Sequence, residues 1–273
     1  MRGSRASRRI TRQTETKEMK AYYLKPADKI SEHVQEILVL EDHWATTPFL
    51  LPLFANGMPT LLFQTAKGQV KKNSNYLTLF GQTIHPEKLL IKDSFTLIAY
   101  FLKPYALISL FAVSAKELTD KPVDFNLVSK NVVLQEQLLN ADTTNQMISL
   151  LDDHIFSLVS KSKTGERLIR YVTEKISDNP CKNILSDIQK EICVTERTFQ
   201  RMFEQKVGVS PNQFRRICQF NNAFQQLNRE RTKSLAEITF RNGYADQSHF
   251  IRAFREYTGI TPTEYLSGGT LPS

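Results

Sequence analysis

The spacing of hydrophobic positions changes along this chain and divides it in two. Between residues 21 and 105 the apolar residues fall in short β-type runs: Glu36–Leu40, Thr60–Gln64, Tyr76–Phe80, Lys88–Ile91 and Phe95–Phe101. Turn-forming pairs separate them, Asn56-Gly57, Lys67-Gly68 and His85-Pro86 among them. Many short strands at this spacing predict a small barrel or sandwich. From about Ala106 the period lengthens. Leu107, Leu110 and Phe111, then Val133–Leu139 and Ile148–Val159, read as helices that brace the barrel or form an oligomer interface. Within the last of these, Asp152-Asp153-His154 reads as a solvent-facing stretch of an amphipathic helix. Ser160–Lys163, ending near Gly165, reads as a linker.

From Glu166 onward the pattern is helical, with about seven helices. The first spans roughly Glu166–Ser177, with Leu168, Ile169, Val172 and Ile176 on one side, and stops before Asn179-Pro180. Leu185–Ile192 follows, then a tight turn at Cys193-Val194 and a helix capped by Thr195. Ser210-Pro211 opens a long helix to about Asn228, with Ser as cap and Pro as first residue. Ser234 with Glu237 forms a capping box, Asp246 caps the next helix, and Thr261-Pro262 with Glu264 opens the last.

This helical part is duplicated. TFQRMFEQKVGVSPNQF, from Thr198 to Phe214, is echoed 51 residues later by HFIRAFREYTGITPTEY, from His249 to Tyr265. Phe199 matches Phe250, Arg201 matches Arg252, and Phe203 matches Phe254. Upstream, Leu185 and Ile188 match Leu235 and Ile238 at an offset of 50, so one copy carries an extra residue in a turn. At about 100° per residue, Phe199, Met202 and Phe203 share one face and can only be core. Arg197, Gln200, Arg201 and Glu204 share the other. In the second copy Phe250, Ala253, Phe254 and Tyr257 point inward, while Ser248, Arg252 and Arg255 point outward, with Gln247 and His249 near the N-terminal end. Arg and Gln on an exposed helix suit the major groove, where they pair with guanine and adenine edges. The long helix between the copies spans roughly 27 Å, enough to hold two such helices near one duplex turn apart.

Charge follows the same division. The net charge of +8 divides into +5 over residues 1–20, −1 over 21–163 and +4 over 164–273. A polyanion partner is therefore expected for the C-terminal part only. Residues 1–20 are polar, Arg-rich and aperiodic; they read as a disordered basic tail whose MRGS start resembles one added for expression. Cys181, Cys193 and Cys218 have neither the even count of a disulfide framework nor metal-ligand spacing.

The segments DIQKEICVTERTFQRMF, VGVSPNQF and SLAEITFRNGYADQSHFIRAFREYTGITPTEY resemble the C-terminal domain of AraC/XylS-type bacterial transcription regulators, over about residues 166–267. The resemblance implies two helix-turn-helix subdomains joined by a long helix. It implies Arg197, Gln200 and Arg201 as DNA-binding residues of the first copy, and Gln247, Ser248 and Arg252 of the second. It also implies RNA polymerase as a partner. Two positions of the first unit depart from the family pattern: Gln189 stands where a small Ala is usual, and Cys193 where the turn has Gly. The second unit has Thr239 and Gly243 there. A weaker resemblance covers FLKPYALISLFAVSAKELTDKPVDF and LFANGMPTLLF, which look like parts of the barrel-type N-terminal domain of these regulators.

No Gly-rich phosphate loop, histidine cluster or nucleophile motif stands out in the sequence. The expected fold class is α+β: residues 21–163 form an N-terminal β-rich, barrel-like (cupin-like) domain with bracing helices. Residues 164–273 form an all-α domain with two helix-turn-helix units. The expected function is sequence-specific DNA binding by a cytoplasmic transcription regulator, an activator, with no enzymatic activity, cofactor, catalytic residue or metal. Its expected partner is double-stranded DNA, and the N-terminal domain leaves room for a small-molecule effector or a homodimer, without a membrane. The alternative is a ligand-binding or enzymatic barrel whose C-terminal helices form a protein-interaction module.

Overall fold

The computed structural model describes residues 19–71, 73–129, 133–160, 167–230 and 234–267. The basic tail lies outside the described residues except for Met19 and Lys20, and the linker except for Ser160. The N-terminal strands are β1 (Lys20–Leu24), β2 (Val34–Asp42), β3 (Phe49–Leu53), β4 (Thr60–Val70), β5 (Asn73–Phe80), β6 (Glu87–Ile91) and β7 (Phe95–Leu102). After α1 (Ala106–Phe111) and α2 (Ala115–Leu118) comes the two-residue β8 (Val123–Asp124), then α3 (Phe125–Val128), α4 (Val133–Leu139) and α5 (Thr144–Val159).

The barrel-like, cupin-like closure expected from the strand spacing is not formed. The ladder runs β1-β2-β7-β4-β5-β8, with β3 pairing β6 and β6 touching β4 through one bridge. Among the described residues its ends, β1 and β8, pair only with β2 and β5. The physical reason lies in how the faces are buried. Alternate residues Val39, Leu61, Phe63, Leu79, Ile98 and Tyr100 face a core completed by Leu110, Phe125, Leu138, Leu151 and Ile155 from the helices. Their neighbours Leu40, Leu62, Leu97 and Ala99 cluster with Leu51, Leu89 and Ile91 from β3 and β6. A sheet covered on both faces buries its apolar surface without curling on itself. Strand β7 accordingly is apolar at every position but Thr96 and buried on both sides.

Helix α5 holds the sheet through a polar contact as well. The Tyr100 hydroxyl donates to Asp152 at 2.7 Å, with the Ile148 carbonyl as a second, longer contact of the same proton at 3.1 Å. Burial, with Asp152 beside it, drives the Tyr100 pKa far upward, so the phenol stays protonated and remains a donor. The Asp152-Asp153-His154 stretch is thus not uniformly solvent-facing. Only Asp153 is exposed, paired with Lys29 at 2.6 Å, while His154 is buried against the Phe125 ring.

Among the described residues the C-terminal half contains seven helices, as read from the sequence: α6 (Arg167–Asp178), α7 (Ile184–Ile192), α8 (Glu196–Val207), α9 (Pro211–Arg229), α10 (Leu235–Arg241), α11 (Gln247–Thr258) and α12 (Pro262–Ser267). Helix α9 divides two cores. Its Phe214 and Cys218 pack with Ile169, Ile188, Phe199 and Phe203. Its Ile217, Phe220, Ala223 and Leu227 pack with Ile238, Phe250, Phe254 and Tyr257.

The N-terminal half is seated on this pair of units at several points. Tyr105 belongs to the first helical core and Ala55 to the second. The Phe54 ring lies edge-on to Phe224 of α9 at 5.6 Å. Helix α2 packs against the end of α8: Thr119 donates to the Gly208 carbonyl at 2.9 Å and Lys116 pairs with Glu204 at 3.4 Å. Arg170 of α6 reaches Glu32 at 3.1 Å.

Candidate nucleic-acid interface

Helices α8 and α11 are built alike from their ends inward. Thr195 accepts the Thr198 amide at 3.3 Å and Asp246 accepts the His249 amide at 2.7 Å, each satisfying a free N–H of the first turn. Gly208 and Gly259 close the other ends in the left-handed region, at φ 98 and 79. Between the caps, aromatic rings set the rotation of each helix about its axis. Phe199, Phe203 and Val207 are buried in α8, and Phe250, Phe254 and Tyr257 in α11. Phe203 meets Phe214 of α9 at 5.5 Å, and Phe254 meets Phe220 at 5.7 Å. Both helices are therefore braced from behind by one shared helix.

This rotation leaves the outer faces open. Arg197, Gln200 and Arg201 on α8 are exposed, and so are Gln247, Ser248 and Arg252 on α11. Gln200 donates to Glu196 one turn back at 3.1 Å. Among the described residues no carboxylate lies within ion-pairing distance of Arg197, Arg201 or Arg252. Their neighbours differ: Arg216 is paired with Glu256 at 2.6 Å and Arg241 with Glu237 at 2.8 Å. Glu204, read as outward-facing, is half-buried against Lys116 of the N-terminal half.

The two turns differ, as the sequence departures imply. Cys193 occupies the left-handed region at φ 52, where the second unit has Gly243 at φ 72. The extra residue of the second copy falls in this turn, between Gly243 and the cap Asp246. Thr239 is fully buried, its hydroxyl satisfied by the Leu235 carbonyl at 2.6 Å, whereas Gln189 is only half-buried at the matching position. Helix α12 has a complete capping box. Glu264 accepts the Thr261 amide at 2.7 Å, and these hydrogen bonds hold its carboxyl below the usual range. A carboxylate therefore already occupies that helix start.

Of the cysteines, Cys218 is buried beside Ser177, and burial pushes its thiol up to about 12. It is a protonated packing residue. Among the described residues no group of His, Cys, Asp and Glu could hold a metal ion, and no helix is long and apolar enough to cross a membrane. An apolar cavity of about 170 Å³ lies where the sheet meets α9, lined by Leu38, Leu62, Ala99, Phe101, Phe220 and Phe224. Neither this cavity nor the seat of Phe54 on Phe224 is foreshadowed by the sequence, since the turn Asn56-Gly57 signals a bend and not what it touches.

The two family profiles that match the chain fall one in each half. A family profile described as a helix-turn-helix domain matches residues 188–268, and one described as a domain of unknown function, DUF6597, matches residues 22–124. The chain is similar to the HTH-type transcriptional regulator ArgR of Pseudomonas aeruginosa, 32% identical over 78 residues, covering 29% of this chain and 23% of that protein. It is similar to the probable transcriptional regulator LumQ of Photobacterium leiognathi, 24% identical over 163 residues, covering 60% and 59%. It is similar also to the arabinose operon regulatory protein of Escherichia coli, 23% identical over 99 residues, covering 36% and 33%. The matched stretches thus span less than two thirds of these relatives. Among solved structures, ToxT from Vibrio cholerae aligns with a TM-score of 0.49 at 11% identity, over 92% of this chain and 97% of that one.

Proposed function

We propose, from the helix-turn-helix domain matched at residues 188–268 and its resemblance to AraC/XylS-type bacterial transcription regulators, a protein that binds DNA by sequence through both of its units. Helix α8 presents Arg197, Gln200 and Arg201 to one major-groove segment, and α11 presents Gln247, Ser248 and Arg252 to the next. The observation that carries this reading is the matched exposure of those side chains on two helices braced by the same α9. An exposed arginine without a carboxylate partner keeps its forked donors free for a base edge. Helix α9, with 19 residues, is about 28 Å long. That length suits two helices entering adjacent groove segments about 34 Å apart, with modest bending of the duplex.

The N-terminal half acts on this function through its seat on α8 and α9. A small apolar effector in the cavity between the sheet and α9 would press on the helix that spaces the two readers. The domain resemblance makes RNA polymerase the expected partner in activation, and a second copy of the chain remains compatible with the helical face of the N-terminal half.

Selection of bound duplexes from a random pool, followed by titration of Arg201→Ala and Arg252→Ala, tests the reading. A good bidentate base contact discriminates by about 1–3 kcal/mol. Each variant should therefore lose about tenfold to a hundredfold on the selected duplex and far less on a scrambled one. Equal affinity of the unchanged protein for both duplexes would refute base readout.

A further inference from the structure

Between the two helix-turn-helix units lies a cleft of about 680 Å³ that the base-reading residues do not use. One wall is the loop before α7, with Lys182. The floor is α9, with Arg215 and Gln219. The far wall is the turn from Gly243 to His249, in the first turn of α11. We propose that this cleft receives a phosphodiester group of the DNA strand passing between the two recognition helices, held by Arg215 and Lys182. The proposal rests on the DNA-binding reading above and adds to it a central contact that carries no sequence information.

The first argument is charge. The guanidinium of Arg215 is half-buried, and its hydrogen-bond partners are all neutral: the Pro180 carbonyl at 3.1 Å, Gln219 Oε1 at 3.2 Å and Asn212 Oδ1 at 3.4 Å. Among the described residues neither it nor Lys182 has a carboxylate within ion-pairing distance. Arg241, on the same cleft, is already neutralised by Glu237 at 2.8 Å and lies 3.9 Å from Glu230. Asp178 is the one carboxylate on the cleft's lining. Burial, and then the neighbouring Arg216, disfavour the charged form of Arg215. A half-buried cation with no counter-charge weakens the fold unless something anionic completes it.

The second argument is rigidity. Gln219 accepts from Arg215 and donates to the Asn242 carbonyl at 2.9 Å. Pro180, Arg215, Gln219 and Asn242 therefore form one chain of hydrogen bonds, from the loop of the first unit, across α9, to the turn of the second. A guanidinium fixed in that chain loses little further freedom when it meets an oxyanion.

The third argument is position. His249 lines the cleft and follows directly on Gln247 and Ser248. A strand whose bases meet the start of α11 has its backbone at the cleft's rim, and phosphate contacts of this kind fix register.

The test uses the full chain and its selected duplex, with a single neutral methylphosphonate stepped through the positions between the two base-read segments on each strand. At one or two central positions the unchanged protein should lose about fivefold to tenfold in affinity, whereas Arg215→Gln and Lys182→Ala should lose little. Each variant should also lower the slope of log affinity against log salt by about one, and leave the ratio of selected to scrambled binding unchanged. Lys182 is exposed on a loop, so its variant and the scan of the unchanged protein remain decisive even if Arg215→Gln fails to fold. If no central position matters, or if each matters equally to protein and variants, the proposal is overturned, while a retained preference for the selected duplex leaves base readout standing. Loss of that preference in the unchanged protein overturns both.

Discussion

At the scale of single residues, the two units show what a backbone conformation demands of a side chain. Cys193 sits at φ 52 where its counterpart is Gly243. A Cβ in the left-handed region costs about 1–2 kcal/mol, partly offset by the lower unfolded-state entropy of a non-glycine residue. Cys193→Gly should therefore stabilise the protein by about 0.5–1 kcal/mol, read as a raised denaturation midpoint. His33 makes a second residue-level prediction. It is buried beside Tyr105, its Nδ1 without a partner, and burial lowers its pKa. A histidine lowered on folding leaves stability intact above its ordinary value of 6.5 and removes it as pH falls from there through the lowered one. Thermal melts between pH 7 and 5 should show His33→Gln losing less stability on acidification than the unchanged chain; parallel curves would rule this out.

At the scale of elements, caps and strand counts were not equally legible in the sequence. Helices α8, α9, α10 and α11 start where the residues put them, because Thr195, Ser210, Ser234 and Asp246 accept the first-turn amides that their residue types imply. Such contacts span only a few residues. Sheet closure is different in kind. Whether a ladder's ends meet depends on which distant elements cover its faces, and neither β1 nor the packing of β3 and β6 on Leu62 and Ala99 leaves a local mark. The clasp of α2 on α8 is likewise non-local, and it can be measured. A Cβ on Gly208 would lie 2.7 Å from the Ala115 carbonyl, whereas one on Gly259 would find nothing nearer than Pro86 at 3.6 Å. Gly208→Ala should cost about 2–3 kcal/mol and Gly259→Ala about 1. Equal losses in urea melts would show that the clasp is loose.

At the scale of the whole molecule, the outward faces of α8 and α11 were legible from the duplicated Phe-x-Arg-x-Phe spacing alone, since the aromatics can only turn inward. The cleft of Arg215 and Lys182 was less so. Its one trace in the sequence is an arginine pair on α9, a helix without a single acidic residue, and nothing local says that Arg216 is ion-paired while Arg215 is not. Because both proposed readers pack on one helix, the proposed function requires a fixed separation between them. Inserting about five base pairs, half a duplex turn, between the two base-read segments should therefore reduce binding to the non-specific level in an electrophoretic mobility assay. Unimpaired binding would mean that the units move independently.

The unequal turns before α8 and α11 carry one more consequence. A duplex gripped by twin readers of identical make would look the same from either end. Here the leading reader offers two arginines and a glutamine from a three-residue corner, and the trailing one offers Gln247, Ser248 and Arg252 from a longer corner. On the proposed function, the bound stretch of DNA therefore has a head and a tail, and a single molecule lying on it points one way along the chromosome, with its N-terminal sheet always on the same flank.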